Sequence, residues 1–194
     1  RFHKGENEND PSFSWSLSRH ANIYINDAFG SAHRAHASNV GITDYIGSTV
    51  AGFLIEKEIK YLCETIANPP RPIVLILGGS KINDKIELIE NMMDKTDAIL
   101  IGGSMAFTFL KALGSNIGAS RVDEGNVLKA YEIIKTAKKR QVNIILPSDV
   151  VSSSEMSPSA SWRVSSINKL SLDETGFDIG PQTSLNFELE LSTA

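Results

Sequence analysis

At 194 residues, with 41% hydrophobic and 22% charged side chains, the chain is long enough for one generous domain or two smaller ones, and its composition excludes a disordered polymer. Lys and Arg number 19 against 23 Asp and Glu, a net charge of −4, so there is no basic footprint for nucleic acid. No apolar run approaches the ~18 residues of a membrane helix, and no signal-peptide pattern is present.

In chain order, Asp10-Pro11-Ser12 offers a helix start, with Asp10 as N-cap and Pro11 at the first helical position. Ile23-Tyr24-Ile25 reads as a short strand ending at Asn26-Asp27. The segment Phe29–Gly41 combines small residues with two His and one Arg, and reads as a functional loop. From Ser48 to Ala67, Val50, Phe53, Leu54, Ile59, Leu62 and Ile66 recur at roughly helical spacing and predict a helix. The single cysteine, Cys63, falls in this run and is expected to be a small core residue; it cannot close an internal disulfide, which fits a reducing compartment. Asn68-Pro69-Pro70-Arg71-Pro72 then forbids helix and makes a stiff connector, a place for a domain boundary.

Beyond it, Ile73–Leu77 is a continuous apolar run ending in Gly78-Gly79, as a strand buried on both faces requires. An amphipathic helix over Ile82–Asp94 follows, with Ile82, Ile86, Ile89 and Met93 on one stripe. Ala98–Ile101 repeats the strand and ends in Gly102-Gly103. Helices over Met105–Leu113 and Glu124–Arg140 and a strand over Val142–Leu146 complete a β-α-β-α-β order. That order predicts an α/β fold with a parallel sheet and flanking helices, whose ligands bind at the carboxyl ends of the strands. Residues 152–175 are Ser-rich and aperiodic and read as an exposed excursion. A last helix is expected from near Ser184, with no cap at Ala194; together with a start at Arg1 rather than Met, this suggests a piece of something longer.

Three constellations carry chemistry. Gly78-Gly79-Ser80-Lys81 joins a buried strand to a helix: the glycines permit close backbone approach to a phosphate, the helix start offers free N–H groups, and Lys81 adds an ammonium. Lys85 follows one turn later on the same face. The plainer alternative is a tight turn with two solvated lysines, and spacing leaves both open. Gly102-Gly103-Ser104 closes the next strand and gains weight because two neighbouring Gly-rich strand ends can line one crevice. In His33-Arg34-Ala35-His36, Arg can clamp a carboxylate or phosphate and His can donate to a phosphate oxygen. A loop whose His and Arg bond backbone carbonyls is the alternative. His3, His20 and His36 read as structural or exposed. The chain has no nucleophile elbow and no metal-spaced Cys/His cluster.

Tyr24-Ile25-Asn26-Asp27-Ala28-Phe29-Gly30-Ser31-Ala32-His33-Arg34-Ala35-His36 closely resembles the signature segment V-N-D-A-F-G-x-A-H-R-A-H of phosphoglycerate kinases. Arg1-Phe2-His3 resembles the end of that family's L-x-E-N-x-R-F-x motif, and Gly52–Glu58 its lobe-joining helix. Arg71-Pro72, Leu77–Lys81, Asp84-Lys85, Ile101–Leu110, Leu146–Val151 and Asp178–Pro181 follow in the family's order. The resemblance implies two Rossmann-like lobes, both incomplete here. Residues 1–50 would end the phosphoglycerate-binding lobe, 51–70 would form the interdomain helix and hinge, and 71–194 would begin the nucleotide-binding lobe.

It further implies reversible phosphoryl transfer from 1,3-bisphosphoglycerate to ADP, giving 3-phosphoglycerate and ATP, in a cytoplasmic glycolytic enzyme that is monomeric at full length. Arg1, His33 and Arg34 would hold the phosphoglycerate, with Arg1 and Lys81 catalytic. Gly79, Ser80, Lys81, Lys85 and Ser104 would lie against the nucleotide. Mg2+ would arrive with the nucleotide, its ligand outside these residues, because the family's Gly-Gly-Asp-[Ser/Thr] motif is not among them. Nor is its His-x-Gly-Arg loop, so the 194 residues alone are expected to be inactive. The sequence departs from the family at Ser104, where Gly is usual, and over Trp162–Glu174. A degenerate nucleotide- or partner-binding module without transfer activity is the competing reading; the lack of Gly-x-Gly-x-x-Gly disfavours a dinucleotide oxidoreductase.

Overall fold

The computed structural model describes residues 2–80 and 82–194, and divides the chain into two compact units, 1–69 and 70–194, that part within the proline run. In the first unit, helix α1 (Pro11–Ser18) begins as its residues dictate: Pro11 supplies a preset φ, and the Asp10 carboxylate accepts the Phe13 N–H at 2.8 Å. Strand β1 (Ile23–Asn26) pairs in parallel with β2 (Ser48–Ala51), Ile23 opposite Ser48 and Asn26 opposite Ala51.

Strand β2 corrects the helix expected from Ser48. Its β-branched Thr49 and Val50 suit a strand, pairing with β1 satisfies its backbone, and helix α2 starts only at Phe53 (Phe53–Ile59). Asp27, just past β1, fixes that start by accepting the Leu54 N–H at 2.7 Å and the Ile55 N–H at 3.1 Å. Helix α2 runs on into a π-helical turn, Lys60–Thr65. The wider turn breaks the 3.6-residue register that placed Cys63 in a core; Tyr61, Leu62 and Cys63 are all exposed.

In the second unit, β3 (Val74–Leu77), β4 (Ala98–Ile101) and β5 (Asn143–Ile145) form a parallel sheet in that order. The connections carry α3 (Asn83–Met92), α4 (Met105–Ala112) and α5 (Val127–Lys139), the last entered through a 3-10 turn at Glu124–Asn126. The β-α-β-α-β order is thus as the alternation of apolar runs and amphipathic stretches predicts. Every residue of the central strand β4 is buried, and Ile89, Ile99, Ile101, Met105, Phe109 and Ile133 pack as one core around it.

Within 152–175, residues 154–162 carry no helix or strand and are mostly exposed, as the composition suggests, but the segments on either side are regular. Strands β6 (Asp149–Ser153), β7 (Arg163–Ser166) and β8 (Thr175–Ile179) make an antiparallel sheet in the order β7-β6-β8. Three of its serines are buried: the Ser152 and Ser165 hydroxyls are hydrogen-bonded across the strands at 2.9 Å, and the Ser153 hydroxyl donates to the Ser161 carbonyl at 2.8 Å. A paired serine can occupy a core-facing site at little cost, so polarity hides the strand period. The last helix, α6 (Pro181–Leu191), starts earlier than Ser184 because Gly180-Pro181 supplies its N-cap and first residue, and it ends with the Ser192 N–H bonded to the Glu188 carbonyl. Among the described residues no helix is long and apolar enough to cross a membrane.

Candidate functional site

The two Gly-rich segments stand at the carboxyl ends of neighbouring parallel strands, Gly78-Gly79 after β3 and Gly102-Gly103-Ser104 after β4, and their backbones touch. The Gly102 N–H donates to the Leu77 carbonyl and the Met105 N–H to the Gly79 carbonyl, both at 2.8 Å. Gly79 has φ +112° and Gly103 φ +64°, conformations that side-chain-bearing residues avoid. A Cβ at Gly103 would come within 2.9 Å of the Gly79 nitrogen, so glycine is required there on steric grounds as well.

Ser104 turns its hydroxyl onto protein: it donates to the Gly79 carbonyl at 3.3 Å. Ser80 is exposed, and Lys85 sits half-buried in the first turn of α3. Lys81, the expected catalytic lysine, lies outside the described residues, as does Arg1. The structure therefore brings Gly79 and Ser104 into contact, with Ser80 adjoining Gly79. Among the described residues no group of three or more His, Cys, Asp or Glu side chains could hold a metal ion.

In the first unit, His33 and Arg34 occupy the exposed loop after a 3-10 turn at Phe29–Ser31. Their side chains have no hydrogen-bond or ion-pair partner among the described residues, so the alternative in which they tie the loop to backbone carbonyls does not hold in this structure. The loop is braced by other residues. Asn39 donates to the carbonyls of Ser31 at 2.8 Å and Arg34 at 2.7 Å and also pairs with Asn26. Glu6 is buried and accepts from both the Ser38 N–H, at 3.0 Å, and the Ser38 hydroxyl. The Tyr24 hydroxyl donates to the Ser38 carbonyl at 2.9 Å; burial, and then the Glu6 charge, push that phenol up. His36 is half-buried, and its backbone carbonyl accepts the N–H groups of Asn39 and Val40.

The residues that sequence reasoning missed are carboxylates and amides that act at a distance. Glu6 serves a loop 32 residues away, a separation for which local pattern carries no signal. Asp149 closes the start of α6; Asp beside a strand, with Gly-Pro at a later helix start, is at most a hint. A cavity of about 360 Å³ lined by Val151, Met156, Pro158, Trp162 and Phe177 lies on the antiparallel sheet and includes none of the predicted site residues.

Comparison with known proteins bears on what these segments belong to. The family model described as phosphoglycerate kinase matches residues 1–194. A phosphoglycerate kinase of Chlorobium phaeobacteroides (strain BS1) is 48% identical over 194 residues, covering 100% of this chain and 49% of the relative. That of Prochlorococcus marinus (strain MIT 9515) is 47% identical over 192 residues, covering 99% and 48%. Among solved structures, phosphoglycerate kinase from Coxiella burnetii superposes with a TM-score of 0.84 at 38% identity, covering 100% of this chain and 50% of that one. The enzyme from Pyrococcus horikoshii OT3 gives 0.79 at 25% identity, covering 98% and 50%. The chain spans about half the length of the curated relatives it matches. With the signature loop, the ordered motifs and the parallel-sheet fold agreeing along its whole length, the chain belongs to the phosphoglycerate kinase family.

Proposed function

We propose that the chain carries part of the machinery for reversible phosphoryl transfer between 1,3-bisphosphoglycerate and ADP, with nucleotide phosphates at the crossed Gly-rich segments and phosphoglycerate at the His33-Arg34 loop. The observation that carries this reading is the contact of the Gly79 and Gly103-Ser104 segments at the carboxyl ends of β3 and β4, where parallel sheets bind ligands. In the forward reaction a terminal phosphate oxygen of ADP attacks the acyl phosphorus. The bond from phosphorus to the carboxyl oxygen breaks, leaving 3-phosphoglycerate as a carboxylate and ATP.

Such a transfer asks little covalent chemistry of the protein, only alignment and cations around charge that spreads over the moving group. In this reading Arg34 and His33, whose polar atoms are unengaged in their exposed loop, bind and orient the acid together with Arg1. Lys81 neutralises the transferring group. The backbone at Gly79-Ser80, the Lys85 ammonium and the Ser104 segment meet the nucleotide. Mg2+ bound with the nucleotide would supply further positive charge to its phosphates; none of the residues named here is assigned to hold it. A cytoplasmic, monomeric glycolytic enzyme is the setting this reading implies.

The test is a chimera in which these 194 residues replace the matching segment of the Chlorobium phaeobacteroides relative. ADP-dependent turnover is expected, and Lys81→Ala in the chimera should lower kcat by about 100-fold or more, the scale on which a transition-state charge partner acts. A chimera that folds, binds ADP and gives no turnover would overturn the reading. The 194-residue chain assayed alone is expected to show no turnover above its own Lys81→Ala variant.

A further inference from the structure

Ser104 departs from the glycine usual in this family, and the structure shows what its side chain does. The Gly79 carbonyl has two lone pairs, and two donors of the next βα connection reach it: the Met105 N–H at 2.8 Å and the Ser104 hydroxyl at 3.3 Å. Holding that oxygen has a consequence one bond away. The Gly79–Ser80 peptide is trans, and in a planar trans peptide the C=O and the following N–H point in opposite directions. With the oxygen drawn toward Ser104 and Met105, the Ser80 N–H faces away from the β4 segment. Ser80 is exposed, and among the described residues its N–H has no acceptor. Gly79 has φ +112° and no side chain to set its conformation, so its carbonyl is held from the β4 side alone, by the Met105 N–H, the Ser104 hydroxyl and the close approach of Gly103.

We infer that Ser104 is a positioning residue of the nucleotide site rather than a contact for the nucleotide: through the Gly79 carbonyl it aims the Ser80 N–H at a phosphate oxygen. The inference rests on the nucleotide reading above and adds to it how a residue 25 positions away in sequence controls the phosphate-facing backbone.

The test uses the 194-residue chain with Ser104→Ala and Ser104→Thr, titrated calorimetrically with ADP and with adenosine. Ser104→Ala should weaken ADP about three- to tenfold, the scale of one hydrogen bond, and leave adenosine unchanged. Ser104→Thr, which keeps the hydroxyl, should restore ADP binding. Equal weakening of ADP and adenosine would assign Ser104 to the nucleoside and overturn the inference, as would unchanged ADP binding. The pin is read separately, without nucleotide, from the Gly79 carbonyl 13C and Ser80 amide resonances. Both should move in Ser104→Ala and return in Ser104→Thr; resonances indifferent to Ser104→Ala overturn the pin. Moved resonances in a chain that takes no ADP would support the pin while rejecting the nucleotide reading for this chain.

Discussion

The carboxylate of Asp149 accepts three hydrogen bonds at the start of α6: from the Gln182 N–H at 3.0 Å, the Thr183 N–H at 2.7 Å and the Thr183 hydroxyl at 2.6 Å. Burial by itself pushes this carboxyl up, but the Thr183 hydroxyl and the two N–H groups outweigh it and hold the group below its ordinary range. Removing the side chain strands donors that the fold has already buried, and that loss exceeds the worth of an average surface bond. Asp149→Ala should therefore lower the unfolding free energy of the chain by about 1–3 kcal/mol in urea titration. Asp149→Asn, which keeps one acceptor oxygen, should lose less. Equal stability of Asp149→Ala and the parent would sink this account.

Among the elements, β7 and the connection to β8 have their own fastening. Arg163 at the start of β7 grips Glu174 with both ends of its guanidinium, at 2.5 Å and 2.6 Å, and the Ser171 N–H adds a third donor at 2.9 Å. The Arg163 pairing, then the Ser171 N–H, lowers the Glu174 carboxyl from an ordinary 4.5 to about 2. A carboxyl depressed on folding stabilises the fold above its unfolded value and loses that contribution as the pH falls through its folded value. The stabilisation is thus complete above pH 4.5 and is lost as pH falls toward about 2. Urea midpoints of the parent and Glu174→Gln should differ at neutral pH and converge across that window; a difference that persists at the acid end would refute the role of the pair. The same scale shows why two elements escaped the sequence reading. Strand β2 exists because β1 lies alongside, and its apolar residues also satisfied a helical period; the Ser-rich strands bury the Ser152 and Ser165 hydroxyls against each other, which no hydrophobic alternation announces.

For the whole molecule, the division between residues 69 and 70 separates a first unit that buries few hydrophobic residues, among them Ala37, Ile42 and Ile46, from a second that holds the larger core clusters. Both core clusters, one around β4 and one joining Phe107 and Leu110 to Val150, Ile167 and Leu170, lie within residues 70–194. A segment that contains its own core can unfold as one cooperative unit. Residues 70–194 expressed alone should therefore give a single sigmoidal thermal transition by circular dichroism. A broad, non-cooperative melt would show that the segment depends on the rest of the chain.

What the amino-acid sequence determined by itself is the part written in short-range pattern. The β-α-β-α-β order, the Asp10-Pro11 helix start and the Gly-rich ends of β3 and β4 follow from period, caps and glycine placement within a few residues. The ordered motifs were enough to indicate the family. The tertiary structure alone decided which distant groups meet. Residues 79 and 104 share one carbonyl because β3 and β4 are parallel neighbours whose ends coincide, Leu77 opposite Ile101. Glu6 braces the loop of His33 and Arg34 from 32 residues away because the chain folds back on itself there. Such pairings arise from strand register and chain reversal, which periodicity along one segment does not encode; through them Ser104, a departure from the family motif, holds the backbone beside it.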